Sequence, residues 1–286
     1  VTSLPTRPPK SKFYKASMPM AAWVRQWPFP PNGSGVFDCC GKVGVFDRAQ
    51  IEKLNAKLAT ATEAEAGAII GALRDDAVGR CATDGMFWLS FVRTRDEADP
   101  SQSVKPFPVH LDYLKELWRV LATEQQVVIA KSRQMLVSWI VVAFCVWTAR
   151  YTPNQAIYWQ SQQYDDAAGM ISLPTGGYTG RAQFLEEQLP SWLKTSAKFS
   201  EGRIQYPNGS MIQALAGGAD KIRGKVVSIY VGDEFARQED QSGVYTAVSP
   251  LMQKGARAIF VSTPNGASNQ FAVLYHGRPI SGPADQ

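Results

Sequence analysis

Cysteine is scarce and poorly spaced for chemistry. The four cysteines, Cys39, Cys40, Cys81 and Cys145, form no pair of CxxC spacings, which gives no ground for a structural zinc site or a disulfide framework. Histidine is scarcer still, and neither His110 nor His276 has a Cys or His cluster near it in sequence, which argues against a metal centre built on imidazole. Long apolar runs are also missing. The most apolar stretch, Leu136 to Ala149, falls short of the roughly 18 residues that span a bilayer, so it reads as a buried helix and implies no membrane. No basic segment followed by an apolar core and a cleavage site opens the chain, and with no disulfide pattern the expected compartment is a reducing cytoplasm. Acid is in short supply too: 25 Asp and Glu against 30 Lys and Arg leave a formal charge of +5 and a pI near 9.0, which favours a polyanionic partner.

What is present is core-forming. A chain of 286 residues, 45% hydrophobic, can bury a sizeable interior as one large domain, alone or with a smaller one appended. Residues 1 to 31 carry Arg7, Lys10, Lys12, Lys15 and Arg25, no acid and repeated prolines, and read as an extended arm, either solvated or used for docking. Asp47 to Val78 has Ile51, Leu54, Leu58, Ile69, Ile70 and Leu73 at helical spacing and predicts a helical pair. Phe87 to Val92 reads as a short strand and Arg95 to Pro106 as a loop. The expected organisation is a basic arm and small accessory region over 1–100, then a larger domain over 101–286.

Leu111 to Leu121 has the pattern of an amphipathic helix, and strands and helices alternate after it. Val127 to Ala130, Ala156 to Gln160, Val226 to Val231 and Ala258 to Val261 read as buried strands, with helices after the first two of them. That alternation implies an α/β fold with a central, mainly parallel sheet flanked by helices. Arg203 to Tyr206 and Ser210 to Ala214 flank Pro207-Asn208-Gly209, a strong hairpin signal.

Two polar clusters sit at strand ends, where open α/β sheets bind ligands. The first is Asp233-Glu234. An acid pair there can hold magnesium and activate water in nucleoside triphosphate hydrolysis, or it can cap the helix that follows. The second is Lys131-Ser132-Arg133-Gln134-Met135-Leu136-Val137-Ser138. It lacks both glycines and the penultimate lysine of GxxxxGK[ST], yet it follows a buried strand and opens a long helix whose amides can receive phosphate. Ser138 offers a hydroxyl for magnesium, and either Lys131 or Arg133 can replace the missing lysine; the alternative is the polar rim of a βα loop.

The run Lys131 to Met135 before an apolar helix, Ile222-Arg223-Gly224 ahead of Asp233-Glu234-Phe235-Ala236, and Ser262-Thr263-Pro264 together resemble the ATPase domain of tailed-phage large terminase subunits, in the family's order and over roughly residues 100 to 275. The resemblance implies a P-loop NTPase fold of the ASCE type and a magnesium-dependent, ATP-hydrolysing motor that drives double-stranded DNA into a procapsid. The loop would be a Walker A motif with its lysine moved to the front, with Lys131 and Arg133 on phosphates. Ser138 and Asp233 would hold Mg2+, and Glu234 would be the catalytic carboxylate. Ser262 and Thr263 would form the coupling motif, and Arg223 resembles an arginine that completes a neighbouring subunit's site. Self-association into a ring, portal and small-terminase partners and a location in the bacterial host cytoplasm follow from the same likeness. Leu136 and Val137 depart from the family's Gly and Lys, and no second, nuclease-like domain is expected before Gln286. A non-hydrolysing ring or docking scaffold and another DNA translocase or helicase are the alternatives.

Overall fold

The computed structural model describes residues 53, 56–95, 104–132, 135–173 and 179–277. The basic arm lies outside the described residues, as do Arg133 and Gln134 of the loop after the first strand. The chain divides into two units, 1–69 and 70–286. In the first, residues 56–60 are helical. Helix α1 (Glu63–Thr83) then opens on a reciprocal cap, in which the Thr62 amide donates to Glu65 Oε2 at 2.9 Å and the Glu65 amide to Thr62 Oγ1 at 3.4 Å.

In the second unit, the segment expected to be a strand from Phe87 is helix α2 (Gly85–Leu89). Asp84 caps it by accepting from the Phe87 amide at 2.9 Å, and Phe87, Trp88 and Leu89 are all buried. A short run that is apolar on every side has no period that separates strand from helix, so the cap decides. Part of the predicted 95–106 loop is instead a ribbon: β1 (Arg93–Arg95) pairs antiparallel with β2 (Val104–Pro106). Helix α3 (Asp112–Thr123) buries Leu114, Trp118 and Leu121, the spacing that its sequence shows.

The main sheet contains β3 (Gln126–Ala130), β4 (Ala156–Gln160), β5 (Lys198–Ser200), β6 (Arg203–Gln205), β7 (Met211–Leu215), β8 (Ile229–Asp233) and β9 (Arg257–Ser262), in the order β3-β9-β8-β4-β7-β6-β5. From β3 to β7 all neighbours are parallel; β7, β6 and β5 are antiparallel. Helices α4 (Val137–Tyr151), α5 (Tyr164–Ile171), α6 (Arg181–Gln188), α7 (Gln241–Gln253) and α8 (Gln270–His276) complete the α/β arrangement. Strand β9, last in sequence, inserts between β3 and β8. The carboxyl ends of β3, β9 and β8 are therefore neighbours, although β3 lies far from the other two in sequence.

The strand expected to begin at Val226 begins only at Ile229. Val226 is 83% exposed and belongs to the crossover from β7, since pairing with β4 and β9 starts with the Ser228 amide on Ala156 O and the Arg257 amide on Ser228 O. Apolar character alone did not separate the strand from its approach.

The predicted hairpin is present between β6 and β7, and it does more than reverse the chain. Asn208 Nδ2 donates to the carbonyls of Ala149, Arg150 and Thr152 at 2.9, 3.2 and 3.3 Å, closing the exposed end of α4, while Asn208 Oδ1 accepts from the Ser210 amide at 3.0 Å. Asn208→Ala is expected to cost about 1–3 kcal/mol, read as a lower urea midpoint with an unchanged slope. Beside it a buried ion pair, Arg150 to Glu186 at 2.5 Å with both side chains 3% exposed, ties α4 to α6, and Tyr206 donates to the same carboxylate at 3.1 Å.

Candidate active site

Four segments meet at the carboxyl edge of the parallel strands. From β3 comes Lys131, whose amide donates to Ser262 O at 2.9 Å and so carries the β3–β9 ladder one step past the strand. From β8 come Asp233 and Glu234, and from β9 Ser262 and Thr263. The fourth is the amino end of α4, with Val137 and Ser138 as its first two residues.

Glu234 is the centre of the cluster. Its Oε1 accepts from Lys131 Nζ at 2.7 Å, and its Oε2 lies 3.0 Å from Thr263 Oγ1, 3.4 Å from the Thr263 amide and 3.4 Å from Ser262 Oγ. Arg237 Nε stands 3.9 Å from Oε2. Burial pushes this carboxyl up, but the Lys131 bond and charge and the Thr263 bonds outweigh it and hold Glu234 below the usual value. The side chain is 38% exposed, open enough to reach a substrate. Although Glu234 occupies the cap position of the short turn Phe235–Arg237, its side chain makes no capping bond. The capping alternative for the acid pair is not what the Glu234 side chain does.

Asp233 is the opposite case. It is 3% exposed, and among the described residues the one hydrogen bond found at its carboxylate comes from the Glu234 amide at 3.1 Å. Burial pushes its pKa from an ordinary 3.8 to about 6, against the pull of Lys131. A buried carboxylate with so little compensation fits a cation. Among the described residues there is no group of three or more His, Cys, Asp or Glu that could hold a metal. A magnesium ion here would therefore draw on Asp233, the Ser138 hydroxyl, water and substrate phosphate, the mixed ligand set typical of that ion.

The backbone of the loop is unusual at the point where its side chains depart from the standard motif. Leu136, which stands where the standard motif has glycine, has φ 54° and ψ 9°, the left-handed conformation that glycine adopts freely and leucine rarely does. The strain is retained at the amino end of α4, where free amides face outward. Glu234 shares this left-handed geometry at φ 42°. Strained residues at two adjoining strand-to-helix turns are a mark of functional sites.

The structure thus brings Lys131, Ser262 and Thr263 together on Glu234, with Asp233 next to it, while Val137 and Ser138 open the helix that follows the loop from Lys131. Ser132 and Met135 are exposed on the loop, Met135 O accepting from Tyr113 Oη at 3.1 Å. Arg133 and Gln134 lie outside the described residues. Arg223 stands apart, on the β7–β8 crossover, 61% exposed and bonded to Asp220 at 2.6 Å.

Sequence reasoning passed over a polar layer under the acids. Gln238, 3% exposed, donates to Asp233 O at 3.0 Å and to Gln160 O at 3.3 Å. Gln160, fully buried at the end of β4, accepts from Tyr230 Oη at 2.6 Å and donates to Ala216 O and Gly218 O at 2.7 and 3.0 Å. The acid turn is thus braced against the start of the crossover that carries Arg223. A glutamine ending an otherwise apolar strand was the available signal.

No family model matches the sequence. Among solved structures, the chain is similar to the large terminase ATPase domain of Thermus phage P74-26, at 19% identity over 54% of this chain, with a TM-score of 0.41. It is also similar to the HK97 bacteriophage large terminase, at 11% identity over 69% of this chain and a TM-score of 0.46. A third is the large terminase of a thermophilic bacteriophage in complex with ADP, at 12% identity over 57% of this chain and a TM-score of 0.42. These three are phage large terminases, matched at low identity over 66%, 42% and 40% of their own lengths.

Proposed function

We propose that this chain is the magnesium-dependent ATPase motor domain of a phage genome-packaging terminase, hydrolysing ATP to ADP and phosphate to move double-stranded DNA into a procapsid. The observation that carries this reading is the convergence of Lys131, Glu234 and Thr263 at three neighbouring strand ends. The terminase-specific part rests on the order of the loop, acid-pair and Ser-Thr-Pro motifs along the sequence.

In this reading the amides at the start of α4 receive the phosphates, and Lys131, with Arg133, neutralises them. Asp233 and Ser138 would hold magnesium, which would supply charge neutralisation for the transferring phosphoryl group. Glu234 orients the attacking water and takes its proton, which requires its ionised form, the form that Lys131 and Thr263 favour. Phosphate competes with Glu234 for Lys131, so substrate binding itself frees the carboxylate to face water. Thr263 shares Glu234 Oε2 and reports that exchange to the segment beyond β9. Arg223, exposed on its crossover, reaches a neighbouring subunit's phosphates in a ring and there stabilises the charge developing on the γ-phosphoryl group. Contact with DNA is mainly to phosphates, hence salt-sensitive and not sequence-specific. Portal and small-terminase subunits are the expected protein partners.

The test is steady-state ATP hydrolysis by the purified chain over a concentration series. Specific activity is expected to rise with protein concentration, to vanish in Lys131→Ala, and to recover in part when Arg223→Ala is mixed with Glu234→Gln, since each lends what the other lacks. ATP binding without turnover at any concentration, with or without DNA, would overturn the motor reading in favour of a nucleotide-responsive scaffold.

A further inference from the structure

The loop after β3 lacks the lysine that standard phosphate loops place just before Ser138, where Val137 stands instead. Lys131 is committed to Glu234 at 2.7 Å. Phosphate can draw Lys131 away from Glu234, and an arginine of another element, packed on the first turn of α4, is placed to add to that charge.

Arg181 is the first residue of α6. Its guanidinium carbon lies 5.2 Å from the centroid of the Trp139 ring, and Trp139 is the residue directly after Ser138 in the first turn of α4. Phe184, one turn further along α6, meets the same indole at 5.8 Å and 70°. The two side chains, three residues apart on one helix face, bracket Trp139, so the packing of α6 on α4 decides where the guanidinium sits. Gly180 fixes the start of α6: an ideal Cβ there would lie 2.5 Å from Ser172 N, so the chain approaches the end of α5 as only glycine allows. At the far end of α6 the buried Arg150–Glu186 pair locks the helix to α4. On the side facing α5, Arg181 Nη1 reaches Met170 Sδ at 3.4 Å. Arg181 thus stands against the residue that directly follows Ser138.

We infer that Arg181 is a phosphate-contacting arginine acting within its own subunit, held over the amino end of α4 by Trp139 and directed at the terminal phosphates of the bound nucleoside triphosphate. The inference rests on the proposed ATPase reading. A planar guanidinium suits the role: it forms paired bonds to phosphate oxygens and keeps its face on the indole while doing so.

The test compares Arg181→Met, Arg181→Lys and the unaltered chain in three measurements: binding of fluorescent ATP and ADP analogues, kcat, and Tm without nucleotide. Arg181→Met keeps an apolar stem over Trp139 and removes only the charge. It is expected to lower kcat about 10²-fold and to weaken the ATP analogue more than the ADP analogue, with Tm little changed. Arg181→Lys should regain part of the loss. Arg181→Met turning over within twofold of the unaltered chain would overturn the inference, as would a loss that tracks a fall in Tm and falls equally on both nucleotides. Failure of the unaltered chain to bind or hydrolyse magnesium-ATP would instead count against the ATPase reading itself, so the two failures are distinguishable.

Discussion

Glu234→Gln is expected to lower kcat for ATP hydrolysis by about 10²–10⁴-fold while leaving nucleotide affinity within a few-fold. The amide keeps the size of the side chain and can still accept from Thr263 Oγ1, so the turn after β8 is preserved. What disappears is the negative charge that pairs with Lys131 and accepts a proton from water. Removing that charge also removes the competitor for Lys131, so ATP should bind somewhat more tightly in the variant. Single-turnover hydrolysis alongside equilibrium nucleotide binding separates the two effects. Turnover near that of the unaltered chain would show that Glu234 is not the base, whereas loss of both turnover and binding would assign it a structural part.

Asp233→Asn is expected to abolish magnesium-dependent turnover and, at the same time, to stabilise the nucleotide-free protein at neutral pH. The sign follows from burial. The folded-state pKa of about 6 lies above the ordinary 3.8, so the folded chain holds a proton that the unfolded chain gives up. Stability from this group is fully present below about pH 4 and is lost as pH rises through about 6. At pH 7.5 the folded protein therefore carries an ionised, buried carboxylate, a cost that Asn removes; its upper limit is about 3 kcal/mol. The Glu234 amide keeps its acceptor, since Asn retains Oδ1. Tm measured at pH 4.5 and pH 8 should show the variant ahead of the unaltered chain at pH 8, with the gap closing at pH 4.5. Added Mg2+ and a non-hydrolysable ATP analogue should raise Tm only in the unaltered chain. An unchanged or lower Tm at pH 8 would mean that Asp233 has a partner for its charge already in the nucleotide-free state.

Both predictions turn on residues whose chemistry was legible in the chain and whose environment was not. Asp233 and Glu234 are adjacent, ionisable alike and at the end of one apolar strand, yet one is pushed up by burial and the other held down by a lysine and a threonine. The difference comes from side-chain alternation at the end of β8, together with the left-handed turn at Glu234 that swings its carboxylate towards β3 and β9. Leu136 shows the same division. Its side chain made the loop look unlike a phosphate loop, whereas its backbone adopts a left-handed conformation that glycine takes freely and leucine rarely does.

The sequence by itself determined the elements and their chemistry: the helix over Leu111 to Leu121, the strands around Val127, Ala156 and Ala258, the Asn-Gly hairpin, and polar clusters at strand ends. These depend on periodicity and turn preferences, which are local properties of the chain. It misplaced what local pattern does not encode. Phe87 to Leu89, the first half of the segment read as a strand, lie in a helix capped by one aspartate, and Val226 lies outside the strand it was read into because pairing begins two residues later. Only the tertiary structure decided that β9 lies between β3 and β8, which brings Lys131 to Glu234 across 103 positions. It alone placed Arg181, on a helix with no recognisable motif, against the first turn of α4. Sheet order and helix docking are set by burial of apolar area summed over the whole fold, and a sum of that kind has no signature in any single stretch of sequence.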